Sequence, residues 1–89
     1  MVVLPEELKH AQAPACVRML AQALRSEGGP HAVADATALR HFDSSALAVL
    51  LECRREALAL GKTFAVSQLH PRLRDLAGLY GVSELLPVA

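Results

Sequence analysis

The sequence predicts an α/β fold, a small sheet of mostly parallel strands with helices packed on it. Three observations lead there. Short β-like segments alternate with helix-like ones, Gly or Pro punctuates most of the boundaries, and no linker, repeat or low-complexity tract interrupts the series. Alternation of this kind fits parallel pairing, because a parallel connection needs a crossover of a dozen or more residues, usually a helix. The 89 residues suit a single domain spanning 1–89. They supply too few elements for a full doubly wound nucleotide-binding domain.

The elements follow in order. Val2-Val3-Leu4 is a short apolar stub that Pro5 confines to a strand end or an edge. Pro14 opens a helix in which Val17, Leu20, Ala21 and Leu24 recur at helical spacing, and Gly28-Gly29-Pro30 stops it. Residues 31–37, HAVADAT, are brief and flanked by breakers, which favours a strand. A second helix runs from Leu47, with Leu47, Leu50, Leu51, Ala57 and Leu58 as its apolar face and Gly61 as its stop. KTFAVSQ reads as a strand with Phe64 and Val66 on one side. His70-Pro71 then opens a helix that buries Leu73, Leu76, Ala77 and Tyr80 and ends at Gly81. VSELLPVA closes the chain as a short turn or helix that Pro87 terminates.

Composition narrows the function. Hydrophobic residues make up 53% of the chain and aromatics only 3%, so the core is built from Leu, Val and Ala. Nine basic residues balance nine acidic ones, which leaves no global field to attract nucleic acid or an anionic membrane. No apolar run reaches the ~20 residues a bilayer span needs, and the N-terminus lacks the pattern of a signal peptide. Cys16 and Cys53 belong to no CxxC pair and read as reduced, buried thiols.

Motifs for catalysis are missing. There is no Gly-rich phosphate loop, and His10, His31, His41 and His70 lack the spacing that places two metal ligands on one helix face. Ser44, His41 or His70, and Asp35 or Asp75 could be assembled into a triad on paper. However, no nucleophile elbow surrounds Ser44, so the expectation is no catalytic residue, no cofactor and no metal.

Attention therefore falls on Asp43-Ser44-Ser45, between the apolar His41-Phe42 and the second helix. Asp and Ser accept hydrogen bonds from the free N–H groups of a helix's first turn, so the simplest role is capping. The same residues would also stand exposed at the carboxyl end of a parallel sheet, where α/β folds present binding groups. A phosphate placed there would meet free N–H groups and the helix dipole.

The stretch DSSALAVLL resembles the signature of the STAS-domain family: Asp, two hydroxyl-bearing or small residues, Gly, Leu, two variable positions and Leu-Leu. KTFAVSQL and HPRLRDLAGLYGVSELLP are similar to the second half of that family, so the resemblance covers residues 31–87, with a looser fit before. It implies a STAS-like sheet with a shortened N-terminal strand region and a non-catalytic role. It also implies partner binding or phosphorylation at Ser44, Ser45 and Asp43, with Ser44 the first candidate. Leu47, Tyr80 and Arg72 are further candidates for an interface, although Leu47 and Tyr80 also fit the core and Arg72 a solvated face.

Two branches of the family offer different partners. Anti-sigma-factor antagonists carry a Ser or Thr at this junction that a partner kinase phosphorylates. The MlaB-like branch comprises cytoplasmic subunits of ABC transporters that move phospholipids between Gram-negative membranes. There the hydroxyl docks on an MlaF-like ATPase and, through it, a permease. The ending AGLYGVSELLP and the short length resemble this second branch more closely. They imply a cytoplasmic subunit, peripheral to the inner membrane when in complex. Two departures stand out. Ala46 replaces the usual Gly, and MVVLPEEL leaves little room for the two strands that usually precede the first helix. Either one strand is missing or the chain starts late. A missing strand would leave a sheet edge for a second copy of the chain to cover, giving a homodimer.

Overall fold

The computed structural model describes residues 1–89. Its strands are β1 (Val2–Val3), β2 (Glu7–Leu8), β3 (His31–Asp35), β4 (His41–Phe42) and β5 (Thr63–Ser67). Its helices are α1 (Ala13–Ser26), α2 (Ser45–Ala59) and α3 (Pro71–Leu79), followed by a 3₁₀ turn at Ser83–Leu85. β1, β3 and β5 form a parallel sheet in that order, while β2 and β4 pair in a separate parallel ladder. The expected small α/β fold with mostly parallel strands is present.

Period-two alternation in β3 and β5 decides where the core lies. Ala32, Ala34, Phe64 and Val66 are buried. On the opposite face Val33, Ala65, Asp35 and Ser67 are only half-buried, and Val3 is 58% exposed. The inward residues join one cluster of 22 buried side chains that includes Leu20 and Leu24 of α1, Leu50 of α2 and Leu73 of α3. All three helices therefore contribute to the one core.

The segment MVVLPEEL holds both β1 and β2, so neither of the two strands before the first helix is missing. The region is shortened because each strand has only two residues. β1 pairs with β3 through Val2 and Val3, and β2 pairs with β4 through Glu7 and Leu8. The premise that a missing strand invites a second copy therefore falls away. At the other side of the sheet the chain's own end pairs with β5. The Val66 N–H donates to the Pro87 carbonyl (2.8 Å) and the Ala89 N–H to the Val66 carbonyl (3.0 Å). The terminus thus does more than form the turn that its sequence suggested.

Two helix faces differ from the periodicity reading. In α2 the buried set is Ala46, Leu47, Val49, Leu50, Cys53 and Ala57, while Leu58 is 48% exposed. Leu58 lies three turns beyond the buried Leu47 on the same side of the helix, so its exposure comes from its place in the last turn rather than from its angle. Tyr80 is 58% exposed because α3 ends at Leu79 and the tyrosine sits at the C-cap, beyond the stripe of Leu73 and Ala77. Leu76 and Leu51 pack half-buried against the core.

Helix ends follow local chemistry. Gly61 (φ 75°) and Gly81 (φ 73°) adopt the left-handed conformation after α2 and α3. In each case the next N–H reaches back into the helix, from Lys62 to the Ala57 carbonyl and from Val82 to the Ala77 carbonyl (both 2.9 Å). This is the Schellman closure that glycine permits without steric cost. The α1 end uses a side chain instead. Lys62, only 9% exposed, donates its ammonium hydrogens to the carbonyls of Glu27 and Gly29. A cation there also suits the negative end of the helix dipole.

Two stability outcomes follow. Leu50→Ala, at a fully buried α2 position, should lower unfolding free energy by about 2–5 kcal/mol in urea titrations. Lys62→Met should keep the stem's packing and strand two carbonyls, costing about 1–3 kcal/mol. Hydrogen exchange should then accelerate first at the α1 C-terminus.

Candidate functional site

The chain leaves β4 at Phe42 and enters α2 at Ser45, so Asp43 and Ser44 make the whole connection. Asp43 governs it. One carboxylate oxygen accepts the Ser45 N–H (2.8 Å), and the other accepts the His10 N–H (3.1 Å). The first bond caps α2, and the second ties the N-terminal segment to the junction. Both favour the ionised carboxylate, and the Ser45 and His10 N–H groups together hold Asp43 below the usual carboxylate range. The Ser45 hydroxyl and the His10 ring reinforce the effect.

The serines divide from there. Capping was expected of all three residues, yet the carboxylate alone does it. Neither serine side chain caps the helix: the Ser45 N–H goes to the Asp43 carboxylate, and the Ala46 and Leu47 N–H groups go to the backbone carbonyls of Asp43 and Ser44. Ser44 is exposed and its hydroxyl makes no hydrogen bond within the chain. Ser45 is half-buried beside Asp43. A group approaching the α2 N-terminus therefore meets the Ser44 hydroxyl uncommitted.

The next wall comes from α3. Gln68, in the left-handed region (φ 57°), turns the chain out of β5, and Leu69 enters the core. His70 then caps α3 by accepting the Arg72 N–H on Nδ1 (3.1 Å). The His70 ring meets Phe42 edge-on, with centroids 5.3 Å apart at 64°, and the Arg72 guanidinium lies 5.6 Å from the Phe42 centroid. Such contacts contribute roughly 0.5–1 kcal/mol at exposed sites. Between these walls runs an open groove of about 500 Å³ lined by Phe42, Asp43, Arg72, Asp75, Leu76 and Leu79.

Arg72 and Asp43 are thus brought to one site, with Ser44 beside it. Leu47 is 3% exposed and serves the core, because it faces inward on α2. Tyr80 is exposed next to Leu79, at the end of the wall. Phe42 and Leu79 are not singled out by the sequence, and His70 and Asp75 enter it only as members of the paper triad. Only the packing of α3 beside β4 assembles them. The spacing 72, 75, 76, 79 was the available signal, since it marks a second helical stripe beside the buried one.

The paper triad does not assemble. His70 Nδ1 holds a backbone N–H, His41 faces Glu6 at 4.0 Å, and Asp35 accepts the N–H and hydroxyl of Thr37. No three His, Cys, Asp or Glu side chains converge as metal ligands. No helix is long and apolar enough to cross a membrane.

Known proteins give a consistent picture. The unphosphorylated anti-sigma factor antagonist SpoIIAA superimposes with a TM-score of 0.73 at 20% identity, covering 98% of this chain and 76% of that one. A Thermotoga maritima protein described as an anti-sigma factor antagonist gives 0.74 at 16% identity, covering 97% and 75%. At these identities the likeness is one of fold. No curated protein matches the chain. A family model described as "Mlab, STAS domain" matches residues 1–87, and the chain belongs to the STAS-domain family.

Proposed function

We propose that the chain is a non-catalytic subunit that docks on the ATPase of a phospholipid-transporting ABC complex and regulates it. The observation that carries this reading is the match of residues 1–87 to the MlaB-type STAS family. The uncommitted Ser44 hydroxyl at the N-terminus of α2 supports it. Asp43 holds the turn rigid, so a partner finds the hydroxyl in one place at little entropic cost. Docked on an MlaF-like ATPase, and through it a permease, the subunit works at the cytoplasmic side of the inner membrane. The complex would serve the lipid asymmetry of the outer membrane.

A second reading has its own support. Both structural neighbours are described as anti-sigma factor antagonists. On that reading Ser44 is a phosphate acceptor for a serine kinase that acts on sigma-factor control. A phosphate would add about −1.5 to −2 charge, attracted by the α2 N-terminus and repelled by Asp43.

Affinity purification of the tagged chain from its own cells should recover an ATPase with Walker motifs and a permease. Ser44→Ala should weaken that complex about 2–10-fold by loss of one hydrogen bond, and Ser44→Glu should weaken it further. An intact complex in both variants would remove Ser44 from the mechanism. Phosphate incorporation by a co-purifying serine kinase, lost in Ser44→Ala and retained in Ser45→Ala, would decide for the second reading.

A further inference from the structure

α3 carries two stripes. Leu73 and Ala77 face the core, whereas Arg72, Asp75, Leu76 and Leu79 recur at i, i+3, i+4 and i+7 and line the groove beside Phe42. That outward spacing is the ridge by which one helix packs against another. Leu79 is 80% exposed and Tyr80 beside it 58%, so the apolar part of the ridge continues into solvent.

The groove lining carries two carboxylates, Asp43 and Asp75, against one guanidinium, Arg72, so its charge is acidic by one. Neither Asp43 nor Asp75 forms an ion pair. The guanidinium in the groove, that of Arg72, is placed over the Phe42 ring. Asp43 and Asp75 thus outnumber the single cation of the lining, Arg72, and neither is ion-paired with it. Four of the six lining residues belong to α3, whose backbone is engaged within its own helix. An incoming strand would find few main-chain partners there, whereas a helix brings its backbone already hydrogen-bonded.

We propose that this groove receives an amphipathic helix of a partner protein, with leucine-like side chains on Phe42, Leu76 and Leu79 and Lys or Arg facing Asp75 and Asp43. The inference rests on reading the junction as a protein-docking site, and it specifies the chemistry of the docked element.

The test uses the full chain and two labelled synthetic peptides of about 18 residues, five helical turns. Both carry the same leucine face, one with Lys and Arg elsewhere and one with Glu. Fluorescence anisotropy should show saturable binding of the basic peptide. Asp75→Lys should weaken it by about tenfold or more, while the acidic peptide gains affinity for that variant. Leu79→Ser, at an exposed position with little bearing on folding, should weaken the basic peptide by about fivefold or more. Circular dichroism and thermal melts of both variants check that the fold is intact.

Equal binding of the two peptides, or binding of neither, overturns the proposal. A dimer by light scattering that Leu79→Ser abolishes also overturns it, because a second copy is then the occupant. The ATPase complex separates this failure from failure of the wider reading. If the complex survives Asp75→Lys but is lost in Ser44→Glu, the transporter reading stands and the groove proposal falls. If the basic peptide binds as described but no ATPase is recovered, the groove stands and the transporter reading falls.

Discussion

The central strand β3 turns only alanine toward the helices, and this constraint sets how everything else packs. Ala32 and Ala34 are at most 1% exposed and fill little space, so the helices must come close and supply the volume themselves. They do so with leucine: Leu20 and Leu24 from α1, Leu50 from α2 and Leu73 from α3. Phe64 and Val66 on the neighbouring strand fill what remains on the inward face. Cys16 and Cys53 are packing groups in this arrangement. Burial raises both thiols, with Cys53 pushed up to about 12, so neither is poised as a thiolate.

A core made this way buries one face of a short sheet and leaves its carboxyl end to be organised by polar residues. Two aspartates do so by the same means. Asp35 accepts the N–H and hydroxyl of Thr37 and ends β3 two residues before the sequence pattern suggests. Those bonds hold its carboxyl below the ordinary range. Asp43 accepts two N–H groups and fixes the start of α2. In each case the carboxylate accepts the backbone N–H two residues on, that of Thr37 for Asp35 and that of Ser45 for Asp43. Rigidity at the junction leaves the neighbouring Ser44 hydroxyl free, and a fixed, unpaired donor on a rigid turn is what a partner surface can read.

The N-terminal stub matters more than its length suggests. Residues 6–10 run beside β4, bury Leu8 completely and deliver the His10 N–H to Asp43. The candidate site is therefore assembled from three distant parts of the chain: the stub, the β4–α2 connection and α3. Its groove exists because His70 and Arg72 both converge on one aromatic ring, in a sequence with only three aromatic residues counting Tyr and Phe.

The sequence by itself determined the alternation of strands and helices, the inward residues of β5, the glycine stops of α2 and α3, and the family signature from Asp43 onward. Those features are local: they depend on spacing, on glycine's access to positive φ and on the capping chemistry of Asp and His. Tertiary structure decided the rest. Two-residue strands such as β2 and β4 are too short to show a period, so only pairing reveals them. The exposure of Leu58 and Tyr80 depends on how far each helix remains in contact with the core. Whether Asp43, Ser44 or Ser45 capped α2 was open in the sequence because all three can accept an N–H. The outcome turned on Asp43, whose second oxygen is anchored by His10, thirty-three residues away. That long-range bond separates the residue that builds the junction from the serine left free to meet a partner.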